Sequence, residues 1–170
     1  FSFAGIIQSN QQSNIKGYPE FFPVAMRKSF IFSLGITEGA LLIDTYYWFE
    51  GNTILAIGCG ISAILVPLTT VYQNIIFFLF GQKRFKTVTI FQGFDTLIST
   101  IILIGTLLIT KNILILLFVY LFLQFLGNFI AHVLYRPRDP KPIGDEVTKK
   151  YYTYAWHTTL RNILFNIAFR

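Results

Sequence analysis

An all-α, polytopic transmembrane helical bundle is the fold class that three features of the sequence predict. First, 54% of the 170 residues are hydrophobic and 13% are charged, about half the charge of an ordinary soluble domain. Second, four apolar runs are present: Phe30 to Phe49, Ile54 to Phe80, Val88 to Thr110 and Ile113 to Leu134. Each reaches the about 20 residues that a helix needs to cross a hydrocarbon core about 30 Å thick. Third, the breaks at 50–53, 81–87 and 111–112 are short, so neighbouring spans must run antiparallel as helical hairpins. A mean hydropathy of +0.57 excludes a disordered tail, which needs low hydrophobicity and high net charge.

Before the first run, Phe1 to Ile7 reads as the cut end of an earlier span and Gln8 to Lys16 as a polar stretch. No basic stretch, short apolar core and small-residue cleavage site follow Phe1, so the chain reads as a portion of a longer protein rather than a mature secreted one. Span one (30–49) carries Glu38 and Asp44 and ends on Tyr46, Tyr47 and Trp48, rings suited to a membrane–water interface. Span two (54–80) is longer than it needs to be, and Pro67 near its centre is expected to kink it and free a backbone carbonyl. Gly35/Gly39 and Ala56/Gly60 are small residues four apart, a spacing that permits close helix contact.

Spans three (88–110) and four (113–134) complete the set of four. Residues 135–150 include Arg136-Pro137-Arg138-Asp139-Pro140-Lys141-Pro142; the three prolines stop a helix, so this segment reads as an extended linker. Its charge is either a solvated orientation signal or a contact for anionic lipid headgroups. Residues 151–170 begin a further helix. There Tyr152, Trp156, Leu160, Ile163 and Ile167 oppose His157, Arg161 and Arg170, so the segment either enters the membrane or lies flat on its surface.

The formal net charge is +6, but the basic residues sit in breaks between apolar runs instead of gathering on one soluble face, which argues against a nucleic-acid partner. They carry an orientation code. Lys16, Arg27, Lys28, Lys83, Arg84, Lys86, Arg136, Arg138, Lys141, Lys149 and Lys150 fall on one side, and only Lys111 falls on the other. By the positive-inside rule, residues 8–28, 81–87 and 135–150 are cytoplasmic and the turns at 50–53 and 111–112 face outward. The single cysteine, Cys59, builds neither a disulfide framework nor a four-ligand metal site.

Polar side chains inside spans are costly and turn toward a partner helix or a wet cavity. At 100° per residue, Gln92, Asp95, Thr96, Ser99, Thr106 and Thr110 share a sector of about 100° on span three. Tyr120, Gln124, Asn128 and Tyr135 share a face of span four, with Gly127 and Ala131 between them and His132 at its edge. Two readings stay open: helix-to-helix hydrogen bonding, or a substrate-facing cavity. The same pair is open for Glu38, as a cavity or ion-coupling group or as one half of an interhelical pair. His132 fits an interface residue better than a ligand.

The sequence carries no HExxH, CxxC, GxSxG or P-loop, and Gly58-Cys59-Gly60 is a bare GxG within an apolar run. Asp145 and Glu146 have no neighbouring His or Cys to complete a metal site. Glu38 with Asp95 is the sole candidate for an intramembrane catalytic pair, and the chain is not expected to be an enzyme or to hold a cofactor.

The run Tyr46-Tyr47-Trp48-Phe49-Glu50-Gly51-Asn52-Thr53-Ile54-Leu55-Ala56, then Val66-Pro67-Leu68, then Phe80-Gly81-Gln82-Lys83-Arg84-Phe85-Lys86, resembles the Wzx-like oligosaccharide flippases. These belong to the multidrug/oligosaccharidyl-lipid/polysaccharide exporter superfamily, whose architecture is MATE-like. Tyr154 to Ala168 is similar to the start of that family's seventh helix. The resemblance implies that the four spans match helices three to six of a twelve- to fourteen-helix protein, with parts of helices two and seven at the ends. It further implies residence in the inner membrane and alternating access around a polar cavity. The implied partners are a lipid-linked oligosaccharide, membrane lipids and the rest of the same polypeptide.

The cavity residues would then be Glu38, Gln92, Asp95, Ser99, Gln124, Asn128 and, as the deep basic candidate, Arg161, with Glu38 or Asp95 coupling a proton or sodium ion. Because the internal charges of spans one and three are acidic, sugar hydroxyls suit Gln92, Asp95, Gln124 and Asn128 better than a pyrophosphate does. Two other functions are weighed beside this one. The first is a MATE-like, cation-coupled exporter of small molecules, and the second is a non-transporting scaffold whose polar stripes only join helices.

Overall fold

Six helices follow one another in the computed structural model, which describes residues 2–16, 20–137 and 144–168, and no strand occurs among the described residues. They are α1 (Ser2–Ile15), α2 (Phe21–Phe49), α3 (Thr53–Gly81), α4 (Phe85–Ile109), α5 (Ile113–Tyr135) and α6 (Asp145–Ala168). Three of them, α3, α4 and α5, are long and apolar enough to cross a membrane. Helix α2, which contains the first predicted span, is not among these: Glu38, Asp44 and the terminal tyrosines dilute its apolar run.

The tight turns have local causes. Gly51 takes a left-handed φ of 77°, open to a residue without Cβ, and Asn52 then caps α3 by accepting from the Leu55 N–H at 3.3 Å. Asn112 caps α5 in the same way, accepting from Leu114 N–H at 2.9 Å. These side chains satisfy donors that a helix start leaves unpaired.

Several boundaries differ from the expected ones. Helix α2 begins at Phe21 instead of Phe30. Pro23 is tolerated because the first four helix N–H groups have no internal partner, and Arg27 and Lys28 had masked the helix by ending the apolar run. Helix α6 begins at Asp145, which shortens the predicted linker; Asp145 and Glu146 in its first turn complement the positive helix end. Arg138 and Lys141 of that linker, and Arg170, lie outside the described residues.

The largest departure is at the start of the chain. The polar stretch from Gln8 continues α1 to Ile15, and Ser9, Asn10 and Ser13 are fully buried. Asn10 Nδ2 donates to the Asn74 carbonyl of α3 at 3.0 Å, and Ser9 Oγ donates to the Tyr151 carbonyl of α6 at 2.7 Å. Asn74 Nδ2 in turn donates to Ser29 Oγ of α2 at 2.9 Å. Four helices are thus joined by polar side chains in a water-poor seam, where such bonds are worth about 0.6–1.7 kcal/mol each. Asn74 Oδ1 is buried without a partner. Asn74→Leu is therefore expected to cost only about 1 kcal/mol, because removing an unpaired acceptor offsets part of the lost bonding. A thermal-unfolding midpoint lowered by much more would show that Oδ1 carries a bond of its own.

The apolar core lies at this same end. Phe22, Ile75, Ile76, Phe78, Leu79, Val88 and Ala131 form one buried cluster from α2, α3, α4 and α5. A second cluster packs α6 onto α2 through Phe21, Ala25, Tyr151 and Ala155. Among the described side chains, the inward face of α6 is therefore Tyr151, Ala155 and Thr158, at helical spacing, while Trp156 and Leu160 of the predicted apolar face are exposed. The side chains of Tyr152, Ile163 and Ile167 lie outside the described residues.

The seam between α2 and α3 explains how Pro67 is accommodated. Lacking an N–H, Pro67 cannot bond the Ala63 carbonyl one turn back. Thr37 of α2 donates to that carbonyl across the helix interface, Oγ1 to O at 3.0 Å. Of the two predicted small-residue contacts, only the second is made among the described helices. Ala56 is buried and Gly60 faces the Asp44 carboxylate, whereas a Cβ at Gly35 or Gly39 would meet nothing within 4 Å.

Candidate functional site: a polar cavity between α3, α4 and α5

Beyond the apolar cluster, and sharing Ile76 and Phe91 with it, lies a polar cavity of about 320 Å³. Helix α4 contributes Gln92, Asp95 and Thr96, α5 contributes Gln124 and Asn128, and α3 contributes Gln73. The 3.6-residue repeat puts 92, 95 and 96 on one face of α4 and 124 and 128 one turn apart on α5. At 1.5 Å per residue, Asp95 is about 15 Å along α4 from Phe85, a little short of the middle of that helix.

Four of the seven sequence-predicted residues, Gln92, Asp95, Gln124 and Asn128, line this one cavity. The other three do not. Ser99 is one turn farther along α4 and half-buried. Glu38 is exposed on α2, away from the cavity lining, and Arg161 is exposed on α6. Gln73 and Thr96 complete the lining.

The close approach of α4 to α5 depends on Gly127. Gly127 and Ala131 are the buried residues of α5, and a Cβ at Gly127 would stand 2.6 Å from Asp95 Cγ, a separation that real side chains do not tolerate. The missing Cβ lets the Asp95 carboxylate lie against the α5 backbone.

Hydrogen bonding in the cavity differs from that of several threonines elsewhere in the helices. Thr45, Thr69, Thr70, Thr100 and Thr106 all donate to the carbonyl one turn back in their own helix, the usual way to satisfy a hydroxyl in an apolar setting. In the cavity, Asn128 Nδ2 does the same toward the Gln124 carbonyl at 2.9 Å. The side chains of Gln73, Gln92, Asp95, Thr96 and Gln124 make no hydrogen bond to another described residue. Their donors and acceptors are available to water or to a ligand.

Among the described residues no basic side chain lines the cavity. His132 lies apart, between Phe22 at 5.9 Å and Tyr72 at 5.2 Å, as an aromatic packing residue whose Nδ1 is buried without a partner. Among the described residues no cluster of His, Cys, Asp and Glu could hold a metal ion. A second cavity of about 310 Å³, where Ala40, Ile54, Cys59 and Leu117 meet, is apolar and offers little polar chemistry.

The class defined by these features is a helical protein with three helices able to span a membrane and a polar cavity among them. No protein-family model, curated protein or solved structure matches the chain.

Proposed function

We propose that the chain forms part of an inner-membrane flippase that carries a lipid-linked oligosaccharide outward by alternating access, in a bundle where α2 acts as a fourth span. The observation that carries this reading is the bonding pattern of the cavity. Polar stripes that merely joined helices would bond to each other, as Asn74 and Ser29 do. In the α4 and α5 stripes, Gln92, Asp95, Thr96 and Gln124 instead leave their side chains open to the cavity. Intramembrane polar groups that face a cavity mark substrate or ion pathways. The resemblance to Wzx-like flippases supplies the substrate class, and the basic residues around the α3–α4 turn supply the orientation.

Asp95→Leu in the whole protein is expected to reduce export of surface polysaccharide severely while membrane abundance stays unchanged, and Asp95→Glu to retain part of the activity. Export and abundance measured together decide the matter. Normal export at normal abundance would remove Asp95 from the mechanism.

One observation favours a second reading. The Asp95 carboxylate has no cationic partner among the described residues, which would suit an exporter of organic cations. Accumulation of a cationic dye in cells distinguishes the two: a flippase leaves it unchanged, and an exporter lowers it in an Asp95-dependent way.

A further inference from the structure

We infer that the cavity between α3, α4 and α5 is a subsite for a single uncharged sugar ring, a specificity that rests on the transport reading and narrows it. Its volume of about 320 Å³ stands at the small end of the about 300–1,000 Å³ of small-molecule sites, room for one sugar ring between its walls.

The chemistry of the walls points to hydroxyls. Gln73, Gln92, Gln124 and Asn128 each carry a carbonyl acceptor and amide donors on one planar group, Asp95 adds two acceptor oxygens, and Thr96 both donates and accepts. Planar groups of this kind bond adjacent hydroxyls of a sugar two at a time. Phe91 supplies an apolar wall for the C–H face of the ring, held edge-on against Tyr135 at 6.4 Å and 89°.

Charge disfavours anionic competitors, and wall shape disfavours cationic ones. A phosphate or uronate would sit beside the Asp95 carboxylate with no Lys or Arg in the lining among the described residues, and like charges repel. An organic cation would be drawn by the Asp95 carboxylate, but it would find one aromatic ring and otherwise neutral amides in place of an aromatic cage. Gly127 is the positioning residue, because its missing Cβ sets where the Asp95 carboxylate stands.

The test uses the whole protein in native membrane vesicles, with Thr96→Cys as reporter in a Cys59→Ser background and a water-soluble maleimide as label. Methyl glucoside is expected to slow labelling several-fold, and glucuronate and inorganic pyrophosphate to leave it unchanged. With Asp95→Asn added, glucuronate is expected to protect as well, since the repelling charge is gone. Equal or better protection by glucuronate or pyrophosphate in the parent would overturn the assignment while leaving the flippase reading intact. Labelling that no sugar slows would also overturn it, and polysaccharide export would then judge the flippase reading by itself. Protection by tetraphenylphosphonium alone would overturn both.

Discussion

Gly127→Leu is expected to abolish export and to lower the thermal stability of the solubilised protein, while Gly127→Ala keeps most of the stability and loses much of the activity. The difference follows from what the added atoms meet. A Cβ alone falls on the Asp95 carboxylate, the end of a short side chain that can swing into the cavity, so alanine costs little packing and misplaces a functional group. A leucine adds further carbons in the same place and must push α4 from α5, and overpacking of this kind costs about 1–3 kcal/mol. Asp95 lines the cavity beside Thr96, so both variants should also alter maleimide labelling at position 96. Export at parental level from a stable Gly127→Leu protein would show that the helices separate without consequence and that the seam is not part of the site.

The pairing of Gly127 with Asp95 marks where sequence reasoning stops. Periodicity exposes which residues share a face of one helix, so Gln92, Asp95 and Thr96, and Gln124 and Asn128, are legible as two stripes. The rotation and height of one helix against the next depend on packing across the interface, which a single helix does not encode. Gln73 is therefore visible only as one of several polar residues late in α3, and its place in the cavity comes from the register of three helices. Glu38 sits on an exposed face of α2 for the same reason.

Helix α1 escaped notice on different grounds. The stretch from Gln8 to Ile15 is too polar to read as a span, yet Ser9, Asn10 and Ser13 fall on one helical face with no proline among them. Their burial depends on partners such as Asn74 and Tyr151, up to 142 positions away in sequence. A small-polar face at helical spacing is the signal that would have found it. The freed carbonyl at Pro67, by contrast, follows from covalent structure alone; only the identity of its new donor needed the fold.

That donor supports the second large expectation. Thr37→Val is expected to destabilise the protein by about 1–3 kcal/mol, the range for leaving a buried polar group unpaired, because the Ala63 carbonyl would lose its cross-helix hydroxyl at 3.0 Å. Pro67→Ala changes the account: alanine supplies the missing N–H, and the Ala63 carbonyl regains a bond within α3. In that background Thr37→Val should cost little, so the double-mutant cycle is expected to show a coupling of about 1 kcal/mol or more. Volume lost with the proline ring cancels in the cycle, which isolates the hydrogen bond. Thr37 Oγ1 also lies 3.2 Å from the Ser33 carbonyl, and one hydroxyl proton serves one strong bond at a time. Equal costs of Thr37→Val in both backgrounds would therefore assign that proton to Ser33. A measured coupling would instead make α2 and α3 a pair tied at the proline, able to move as one body when the proposed transporter changes its opening.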